Sequence, residues 1–492
     1  MNFKLLASGS DLLKCAILFL LALIIKGAYV WETSIGGDEC FSVYTAQLSI
    51  QRIIEFLGTG NNPPLWEIIL HFWIQPFGIS ELSIRIPSLI FNSLTVIPIY
   101  LIGERFIHKN VGTFASLMFI FSSFALFISH EARVYSLVGL LSTTSMYLFL
   151  SVLKDSKKLG SLVLLTINNA LLLYSHYLTS WIIVTQGVLF FACKENRDSL
   201  GYRYFIHLLG IVLLFLPFIP ILYTRFLDSG MHGTWVSKTT GIESLYNMLW
   251  NFSNKPVVTV VFIAIIIFSF LKRILQRNSK QVKRRYIITV HMWTWIPLIF
   301  SFLLSFQVGF FLDRYMFFVM PGFYLSILAS LNYLFLNFRR LQLCSYGIAV
   351  LLMVFTFQIS SSSMGFSGYH QKTNLLVEEI KKYLQRDGTA IFICPKWFDK
   401  EVVYYLDKNL FQTYFDEYEN DVAFKIPLRE KRIYPISDFS EVTGLKEVKS
   451  IVYIDNHCDF HCPDNRIYKY LSSNYVLERQ DIINNNTISI FK

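Results

Sequence analysis

The chain alternates between long apolar runs and short polar segments. Eleven apolar runs cover residues 13–31, 84–103, 111–128, 136–153, 160–175, 178–193, 204–224, 256–271, 286–305, 315–336 and 341–360. At about 1.5 Å per helical residue, most of these runs are long enough to cross a hydrocarbon core of about 30 Å. The pattern predicts an all-α polytopic membrane protein with about 11 transmembrane helices.

The polar segments between the runs indicate the orientation of the helices. Lys and Arg concentrate in alternate segments, most densely from Lys272 to Arg285, and the cytoplasmic loops of membrane proteins collect these residues. We therefore expect the N-terminus to be cytoplasmic. The first run follows Lys4, includes Lys14 at its start and lacks a small-residue cleavage site, so we expect it to be retained as a transmembrane helix.

Residues 32–83 are predicted to form one long outer loop. Within it, residues 63–77 are apolar, but Glu67, His71 and Gln75 follow one another at four-residue intervals along one helical face. A short helix with one polar face lies in the membrane interface rather than across the bilayer. Counting it as a span would also move the basic segments to the outer side, so we predict an interfacial helix at 63–77.

The chain changes character near Gly365. Residues 374–386 and 398–406 have the spacing of helices, residues 389–394 and 449–455 have the pattern of strands, and residues from 474 onward alternate like a closing hairpin. We predict a transmembrane catalytic domain over residues 1–364 and a small soluble α/β domain on the outer face over residues 365–492.

The composition supports a membrane protein and argues against nucleic-acid binding. Hydrophobic residues make up 53% of the chain and charged residues 16%, and the mean hydropathy is +0.45. The net charge of +10 arises before Gly365, where Lys and Arg outnumber Asp and Glu by 27 to 15, whereas the remainder has 17 against 19. Because this excess lies in short loops between apolar runs, it reflects membrane topology.

With this topology, unusual polar residues from five separate segments fall on the outer side. Ionisable residues at the ends of transmembrane helices are costly to desolvate and are therefore candidates for function. They are Asp38 and Glu39 in GGDEC, Arg85, His130, Glu131, Arg133 and Tyr135 in HEARVY, His176 in YSHY, and Asp313 with Arg314 in LDRY. The hypothesis of one site depends on the convergence of these loops, since no single motif is specific.

The residue types fit the transfer of a sugar from a phosphate. A carboxylate at Asp38 or Glu39 can act as the general base that takes a proton from an attacking hydroxyl group. A phosphate leaving group needs no general acid, but cations must balance its growing charge. The permanently charged, forked guanidinium group of Arg85, Arg133 or Arg314 suits that task.

Structural roles for the same residues remain open. Asp38 and Glu39 are also typical of a solvated turn that caps a helix, and Arg85 and Arg133 of interfacial anchors. His176 lies between Tyr174 and Tyr177, as in an aromatic belt. Near the outer end of the first run, Lys26 is expected to extend its amine to the membrane surface.

The sequence NHCDFHC at residues 456–462 offers two further interpretations. His457, Cys458, His461 and Cys462 are possible zinc ligands, although their close spacing strains a tetrahedral site. A Cys458–Cys462 disulfide is the alternative in an oxidising outer compartment. We favour no metal at this segment.

Several ordered segments resemble the GT-C membrane glycosyltransferases, a group related to the protein O-mannosyltransferases and the lipid A aminoarabinose transferase. GGDEC follows the first predicted helix, and NNPPLWE lies in the same loop, with Asn62 where many relatives have His. SIRIPSLIFNSLTVIPIYLIGERF, HEARVYSL, YSHYLTSW and LDRYMFFVMPG then follow in order. The resemblance covers residues 30–190 well and residues 310–325 loosely.

The resemblance implies a polyprenyl-phosphate sugar donor, inverting transfer and an acidic catalytic residue in the first outer loop. That role falls on Asp38, with Glu39 as its neighbour. The arginine that the family has at the head of the next helix corresponds to Arg85. The family's cluster of an acidic residue, an arginine and a tyrosine in the second outer loop corresponds to Glu131, Arg133 and Tyr135. Neither the sugar nor the acceptor is implied.

We therefore expect a multi-pass protein of a bacterial plasma membrane with its site on the outer face. The expected partners are the polyprenyl-phosphate-linked sugar and a lipid, glycan or protein acceptor, with no nucleic acid. No cofactor is expected, and metal dependence is left open. The alternatives are a transporter or flippase for a lipid-linked sugar and a non-catalytic assembly partner. Transporters usually have repeated halves and polar groups near the bilayer midplane, which the sequence does not show clearly.

Overall fold

A computed structural model of the chain describes residues 9–58, 62–155, 159–232, 236–239, 241–275, 284–359, 372–413, 424–442, 448–460, 462–483 and 486–492. The chain forms two compact units. The first, called the membrane unit below, comprises Met1–Val30, Ile50–Ile69 and Arg85–Met364. The second, called the sheet unit, comprises Trp31–Ser49, Leu70–Ile84 and Gly365–Lys492.

The helices are, in chain order, α1 Gly9–Gly27, α2 Gly37–Ala46, α3 Ile50–Gly58, α4 Leu65–Phe77, α5 Glu81–Leu94, α6 Val96–Ile102, α7 Val111–Ile120, α8 Ser123–Ser129, α9 Tyr135–Lys154, α10 Leu159–Ser175, α11 Ser180–Ala192, α12 Lys194–Leu200, α13 Arg203–Phe215, α14 Ile219–His232, α15 Glu243–Phe252, α16 Pro256–Leu275, α17 Arg284–Leu304, α18 Met320–Leu334, α19 Arg339–Thr356, α20 Thr373–Leu384, α21 Asp399–Leu406, α22 Lys408–Phe411, α23 Lys425–Glu430 and α24 Arg466–Asn474. The strands are β1 Thr389–Cys394, β2 Ile433–Pro435, β3 Ser450–Asp455, β4 Leu477–Ile483 and β5 Asn486–Phe491.

The apolar runs of the sequence form the helices of the membrane unit. A helix satisfies its own backbone hydrogen bonds, which the hydrocarbon core requires of any segment exposed to lipid. Six described helices are long and apolar enough to cross a membrane, or up to eight if each of two bent pairs is one span. The protein is therefore an integral multi-pass membrane protein, as predicted. The number of 11 spans and the cytoplasmic N-terminus stay predictions.

The long loop after α1 contains three helices. The predicted interfacial helix is present as α4, which spans 13 residues. Within the membrane unit, the Trp66 indole donates a 3.1 Å hydrogen bond to the carbonyl oxygen of Ala132. Within the sheet unit, His71 Nδ1 lies 2.8 Å from the carbonyl oxygen of Ala46. In both contacts a side chain of α4 is hydrogen bonded to the protein backbone. The position of α4 in the membrane interface stays a prediction.

The sheet unit contains a five-stranded mixed sheet in the order β2-β1-β3-β5-β4. β1 pairs in parallel with β2 and β3, whereas β5 is antiparallel to both β3 and β4. All six residues of β1 are buried, which is typical of a central parallel strand covered on both faces. The strands and helices predicted after residue 374 are confirmed. The unit also includes Trp31–Ser49 and Leu70–Ile84 of the long loop.

The disulfide of the sheet unit differs from the Cys458–Cys462 alternative that the sequence left open. Cys394, at the end of β1, bonds to Cys458, which follows β3. β1 and β3 are parallel neighbours, so their carboxyl ends bring the two sulfur atoms together. Cys462 is a buried free thiol. The Cys458–Cys462 disulfide, which the sequence left open as an alternative, is therefore not formed, because the pairing follows the sheet and not the sequence spacing.

Candidate functional site

The carboxylates Asp38 and Glu39 lie in the first turn of α2, in the sheet unit. The Glu39 carboxylate accepts a 3.0 Å hydrogen bond from the backbone N–H of Gly36, which precedes the helix. This is the return bond of a capping box, and it satisfies a backbone donor at the helix start. Glu39 is buried, whereas Asp38 is partly exposed. The capping alternative therefore applies to Glu39, and Asp38 is the more accessible carboxylate.

A third carboxylate, Glu401 of α21, lies beside this helix start. It is buried, it accepts a 3.2 Å hydrogen bond from Thr373 Oγ1, and the N–H of Gly37 also donates to it. Burial is the main cause that raises the pKa of Glu401 to about 8, and the charges of Glu39 and Asp38 raise it further. Glu401 is therefore largely protonated at neutral pH, which limits repulsion among the three groups.

The arrangement of the sheet unit suits a general base. Asp38 stands on a regular helix whose start is fixed by Glu39 and Glu401. A partly accessible carboxylate can, in its ionised form, accept a proton from a hydroxyl group. The pair of residues predicted as catalytic thus divides into an accessible carboxylate and a capping carboxylate.

The second group of predicted residues lies in the membrane unit. The ring centroids of Tyr135 and His176 are 6.2 Å apart, and Tyr315 lies 6.0 Å from Tyr135 and 5.1 Å from His176. The Arg314 guanidinium carbon is 6.0 Å from the Tyr135 ring centroid and 5.9 Å from that of Tyr315. Three sequence segments far apart in the chain therefore meet in one cluster.

The cluster contains two cationic side chains, and their charges affect the pKa of His176. The pKa of His176 falls from 6.5 to about 4, mainly because the ring is buried and further because Arg133 and Arg314 are positively charged. His176 is therefore neutral at physiological pH and can donate or accept a hydrogen bond without adding charge. We call Arg133, Tyr135, His176, Arg314 and Tyr315 the arginine cluster.

Arg314 is held by its neighbour Asp313. The Asp313 carboxylate accepts 2.8 Å and 2.7 Å hydrogen bonds from the Arg314 backbone N–H and from Asn251 Nδ2. Burial raises the pKa of Asp313, and the two hydrogen bonds with the Arg314 charge oppose that shift. Asn251 and Asp313 thus fix the turn from which the Arg314 side chain extends.

The remaining predicted residues are packed within the membrane unit. Arg85 is buried and donates a 3.0 Å hydrogen bond from Nη1 to the carbonyl oxygen of Val30. His130 Nε2 lies 2.6 Å from the carbonyl oxygen of Lys26. The carbonyl oxygen of Glu131 accepts from the Arg133 N–H at 2.8 Å. His130 therefore contacts the end of α1 and Arg85 the segment directly after it, and a surface-anchor role does not fit the burial of Arg85.

Lys26 differs from its prediction. Its side chain is fully buried rather than extended to the membrane surface, because polar and aromatic partners are available inside the bundle. Lys26 Nζ donates a 2.5 Å hydrogen bond to Asn92 Oδ1 and lies 3.8 Å from the Phe119 ring centroid. A buried amine requires such partners. The polar position of Asn92 inside an apolar run was the available signal in the sequence.

The zinc hypothesis at residues 456–462 is not supported by the described residues. Cys458 Sγ is bonded to Cys394, so it is not a thiolate ligand. His461 lies outside the described residues. Within the described ranges, no group of three or more His, Cys, Asp or Glu side chains is arranged to hold a metal ion. The expectation that no cofactor is needed stays a prediction.

Two residues of these groups escape sequence reasoning for different reasons. Tyr315 directly follows Arg314 in LDRY, and its ring was detectable as part of that motif. Glu401 has no signal, because a single glutamate on a soluble helix is usually solvated and only the fold brings it to α2.

Comparison with known proteins found one family match over part of the chain. Residues 61–223 match the family model of dolichyl-phosphate-mannose-protein mannosyltransferases. No curated protein matches the chain.

Solved structures match nearly the whole chain. ArnT from Cupriavidus metallidurans is 12% identical in the apo state, with a TM-score of 0.61 over 96% of this chain and 97% of ArnT. ArnT bound to undecaprenyl phosphate is 11% identical, with the same TM-score over 99% and 98%. The archaeal oligosaccharyltransferase AglB from Archaeoglobus fulgidus, in complex with an inhibitory peptide and a dolichol-phosphate, is 12% identical, with a TM-score of 0.56 over 92% of this chain and 70% of AglB.

Proposed function

Since this chain is related to the GT-C membrane glycosyltransferases, among them the protein mannosyltransferases and ArnT, we propose that it transfers a sugar from a polyprenyl phosphate to a lipid, glycan or protein acceptor. The observation that carries the proposal is the arginine cluster. Two buried arginines and a partly exposed, neutral histidine provide positive charge and hydrogen bonds suited to a phosphate group. The ArnT structure with undecaprenyl phosphate and the AglB structure with dolichol-phosphate support this choice of donor.

In the proposed reaction, an acceptor hydroxyl oxygen attacks the anomeric carbon of the donor sugar. The bond between that carbon and the phosphate oxygen breaks, and its electron pair goes to the phosphate. Asp38 takes the proton of the hydroxyl group, and attack from the face opposite to the phosphate inverts the anomeric centre. Arg133 and Arg314 balance the second negative charge that the phosphate acquires as it leaves. Arg85 and His130 lie in the same unit, where they contact the carbonyl oxygens of Val30 and Lys26.

The disulfide supports an outer-face location of the sheet unit. Disulfides form and persist in oxidising compartments and are rare in the cytoplasm. Cys394–Cys458 joins two central elements of that unit. We propose that Asp38, in the same unit, acts on the outer face of a bacterial plasma membrane.

The test is a transfer assay with the purified full-length chain, polyprenyl-phospho-sugar donors and a membrane extract as the source of acceptor. We expect wild type to move label from donor to acceptor and Asp38→Asn to lose at least about a hundredfold in rate, as for removal of a general base. The matched control is Asp387→Asn, which removes an exposed carboxylate of the same unit and retains transfer.

Two outcomes contradict the proposal. Full activity of Asp38→Asn removes this residue from the mechanism. If wild type transfers no label with any donor, but moves lipid-linked sugar across liposome membranes, the transport alternative replaces the enzyme.

A further inference from the structure

A cavity of about 1040 Å³ lies between α16 and α17, with Tyr333 of α18 at its wall. This volume is at the upper end of the range for ligand pockets, which is about 300–1,000 Å³. Its lining on α17 extends from Arg284 to Phe300. At about 1.5 Å per residue, this is a groove of about 24 Å along the helix. Exposed Phe270 and Phe300 line it, so the groove is open to the surroundings of the bundle.

The two arginines of this cavity lie at one end. Arg273 and Arg284 line it at the end of α16 and the start of α17, and His291 lies about two turns further along. The rest of the lining is predominantly aliphatic and aromatic. A cationic end followed by an apolar groove matches a phospholipid, with its phosphate at one end and its acyl chains along the other.

Arg273 has no anionic partner in the described part of the chain. Its guanidinium carbon lies 4.5 Å from the Tyr333 ring centroid, yet Nε and Nη2 are buried and make no hydrogen bond to any described residue. Neither Arg273 nor Arg284 forms an ion pair with a described carboxylate. The intervening residues 276–283, QRNSKQVK, contain no Asp or Glu at all.

Burial of guanidinium nitrogens that find no hydrogen-bond acceptor among the described residues is unfavourable, and an external anion is suited to complete this arrangement. Within the membrane unit, Tyr333 follows Arg314 by 19 residues, which is about 28 Å along the helical path. That length is close to the thickness of the hydrocarbon core. The basic end of the cavity therefore lies at the opposite side of the bilayer from Arg314, and it is distinct from the arginine cluster.

We propose that this cavity binds one anionic phospholipid from the leaflet opposite to the Arg314 end. The phosphate accepts hydrogen bonds from Arg273 and Arg284, and an acyl chain lies along α17 towards Phe300. The site is independent of the proposed transfer reaction. Its occupant is a membrane phospholipid and not the polyprenyl-phosphate donor.

The test uses the full-length protein in nanodiscs of zwitterionic phosphatidylcholine, with phosphatidylglycerol titrated in and bound lipid counted by native mass spectrometry. We expect wild type to retain one phosphatidylglycerol and Arg273→Gln to bind it about tenfold more weakly or worse, as for loss of a charged hydrogen bond. Arg340→Gln is the matched control, because it removes an exposed arginine at the start of α19 that does not line the cavity. It retains the lipid.

A second variant keeps the test decisive if Arg273→Gln does not fold. Arg284 is exposed, so Arg284→Gln is expected to fold and to weaken phosphatidylglycerol binding severalfold. Three outcomes overturn the proposal: equal retention by the cavity variants and Arg340→Gln, equal binding of phosphatidylcholine and phosphatidylglycerol, or displacement of phosphatidylglycerol by a stoichiometric amount of polyprenyl phosphate. The last outcome assigns the cavity to the carrier lipid.

Discussion

The backbone N–H of Gly37 donates a hydrogen bond to the buried carboxylate of Glu401. The approach is so close that a Cβ atom on Gly37 would lie 2.7 Å from Glu401 Oε1 and 3.2 Å from Trp397 Cζ3. A side chain at this position therefore requires Glu401 or Trp397 to move. Glycine permits the first turn of α2 to pack on α21, and Asp38 follows directly on that turn. The position of the proposed base thus depends on a residue from the C-terminal part of the chain.

Glu401 predicts a pH dependence of stability. Its pKa is about 8 in the folded chain against an ordinary 4.5, so between these values the folded chain holds a proton that the unfolded chain has released. The stabilisation is complete below pH 4.5 and is lost as pH rises through 8. The free energy of unfolding therefore falls by at most about 1.4 kcal/mol per pH unit in this window.

The measurement is the thermal unfolding midpoint of the detergent-solubilised chain from pH 5 to 9. Glu401→Gln retains the hydrogen-bonding shape without an ionisable group, so its midpoint is expected to fall less than that of wild type as pH rises. Glu430→Gln, at an exposed position of the same unit, serves as the control and follows wild type. Parallel curves for all three proteins contradict a buried, titrating Glu401.

The Cys394–Cys458 disulfide predicts a particular peptide map. Non-reducing proteolysis followed by mass spectrometry is expected to recover these two cysteines in one linked pair, with Cys462 alkylated only after unfolding. Cys458→Ser is expected to lower the free energy of unfolding by about 2–4 kcal/mol, since it releases a long loop in the unfolded chain. Cys344→Ser, which removes an exposed free thiol, is the control. Recovery of a Cys458–Cys462 pair is the contrary result.

The cysteine pairing illustrates what sequence reasoning could and could not provide. Local patterns predicted β1 and β3 correctly, because alternation and β-propensity act over a few residues. The partner of Cys458 lies 64 residues away, and only the parallel pairing of β1 with β3 identifies it. Spacing alone pointed to the nearest cysteine instead.

The same distinction applies to the candidate site. The sequence indicated Arg133, His176 and Arg314 as candidates because they lie in predicted outer loops. The structure brings these three residues together, since helix ends on one side of a bundle are neighbours. Asn92 was a signal of a polar site inside the bundle, but the sequence did not show that Lys26 is its partner, because Asn92 and Phe119 belong to other helices. Contacts between residues that lie far apart in the chain leave no periodic pattern in the sequence.

Arg314 is predicted to act on the donor phosphate. Arg314→Gln removes a charge that can make charge-assisted hydrogen bonds, so the KM for the polyprenyl-phospho-sugar is expected to rise about tenfold or more. Arg314→Lys retains the charge and is expected to recover part of the loss. The control is Lys255→Gln, which removes an exposed cation at the start of α16. Steady-state kinetics with varied donor provide the measurement, and an unchanged donor KM in Arg314→Gln contradicts the assignment.

The two neighbouring carboxylates of α2 are predicted to have different roles, Glu39 in helix capping and Asp38 in catalysis. Glu39 caps the helix through the Gly36 N–H, and a glutamine at this position still offers an oxygen to that donor. Glu39→Gln is therefore expected to lose less than about tenfold in transfer rate and a few tenths of a kcal/mol to about 1 kcal/mol in stability. Asp38→Asn keeps the helix but removes the proton acceptor, so the rate falls by about 10²–10⁴-fold while the unfolding midpoint stays near that of wild type.

The pH–rate profile separates these roles further. If Asp38 is the base, the residual activity of Asp38→Asn no longer declines on acidification as the wild-type activity does, whereas Glu39→Gln retains the wild-type profile at a reduced rate. The reverse assignment predicts a severe loss in Glu39→Gln at an unchanged midpoint. Because the two residues differ by one position on the same helix, this pair of variants tests the accessibility argument without changing the surrounding unit.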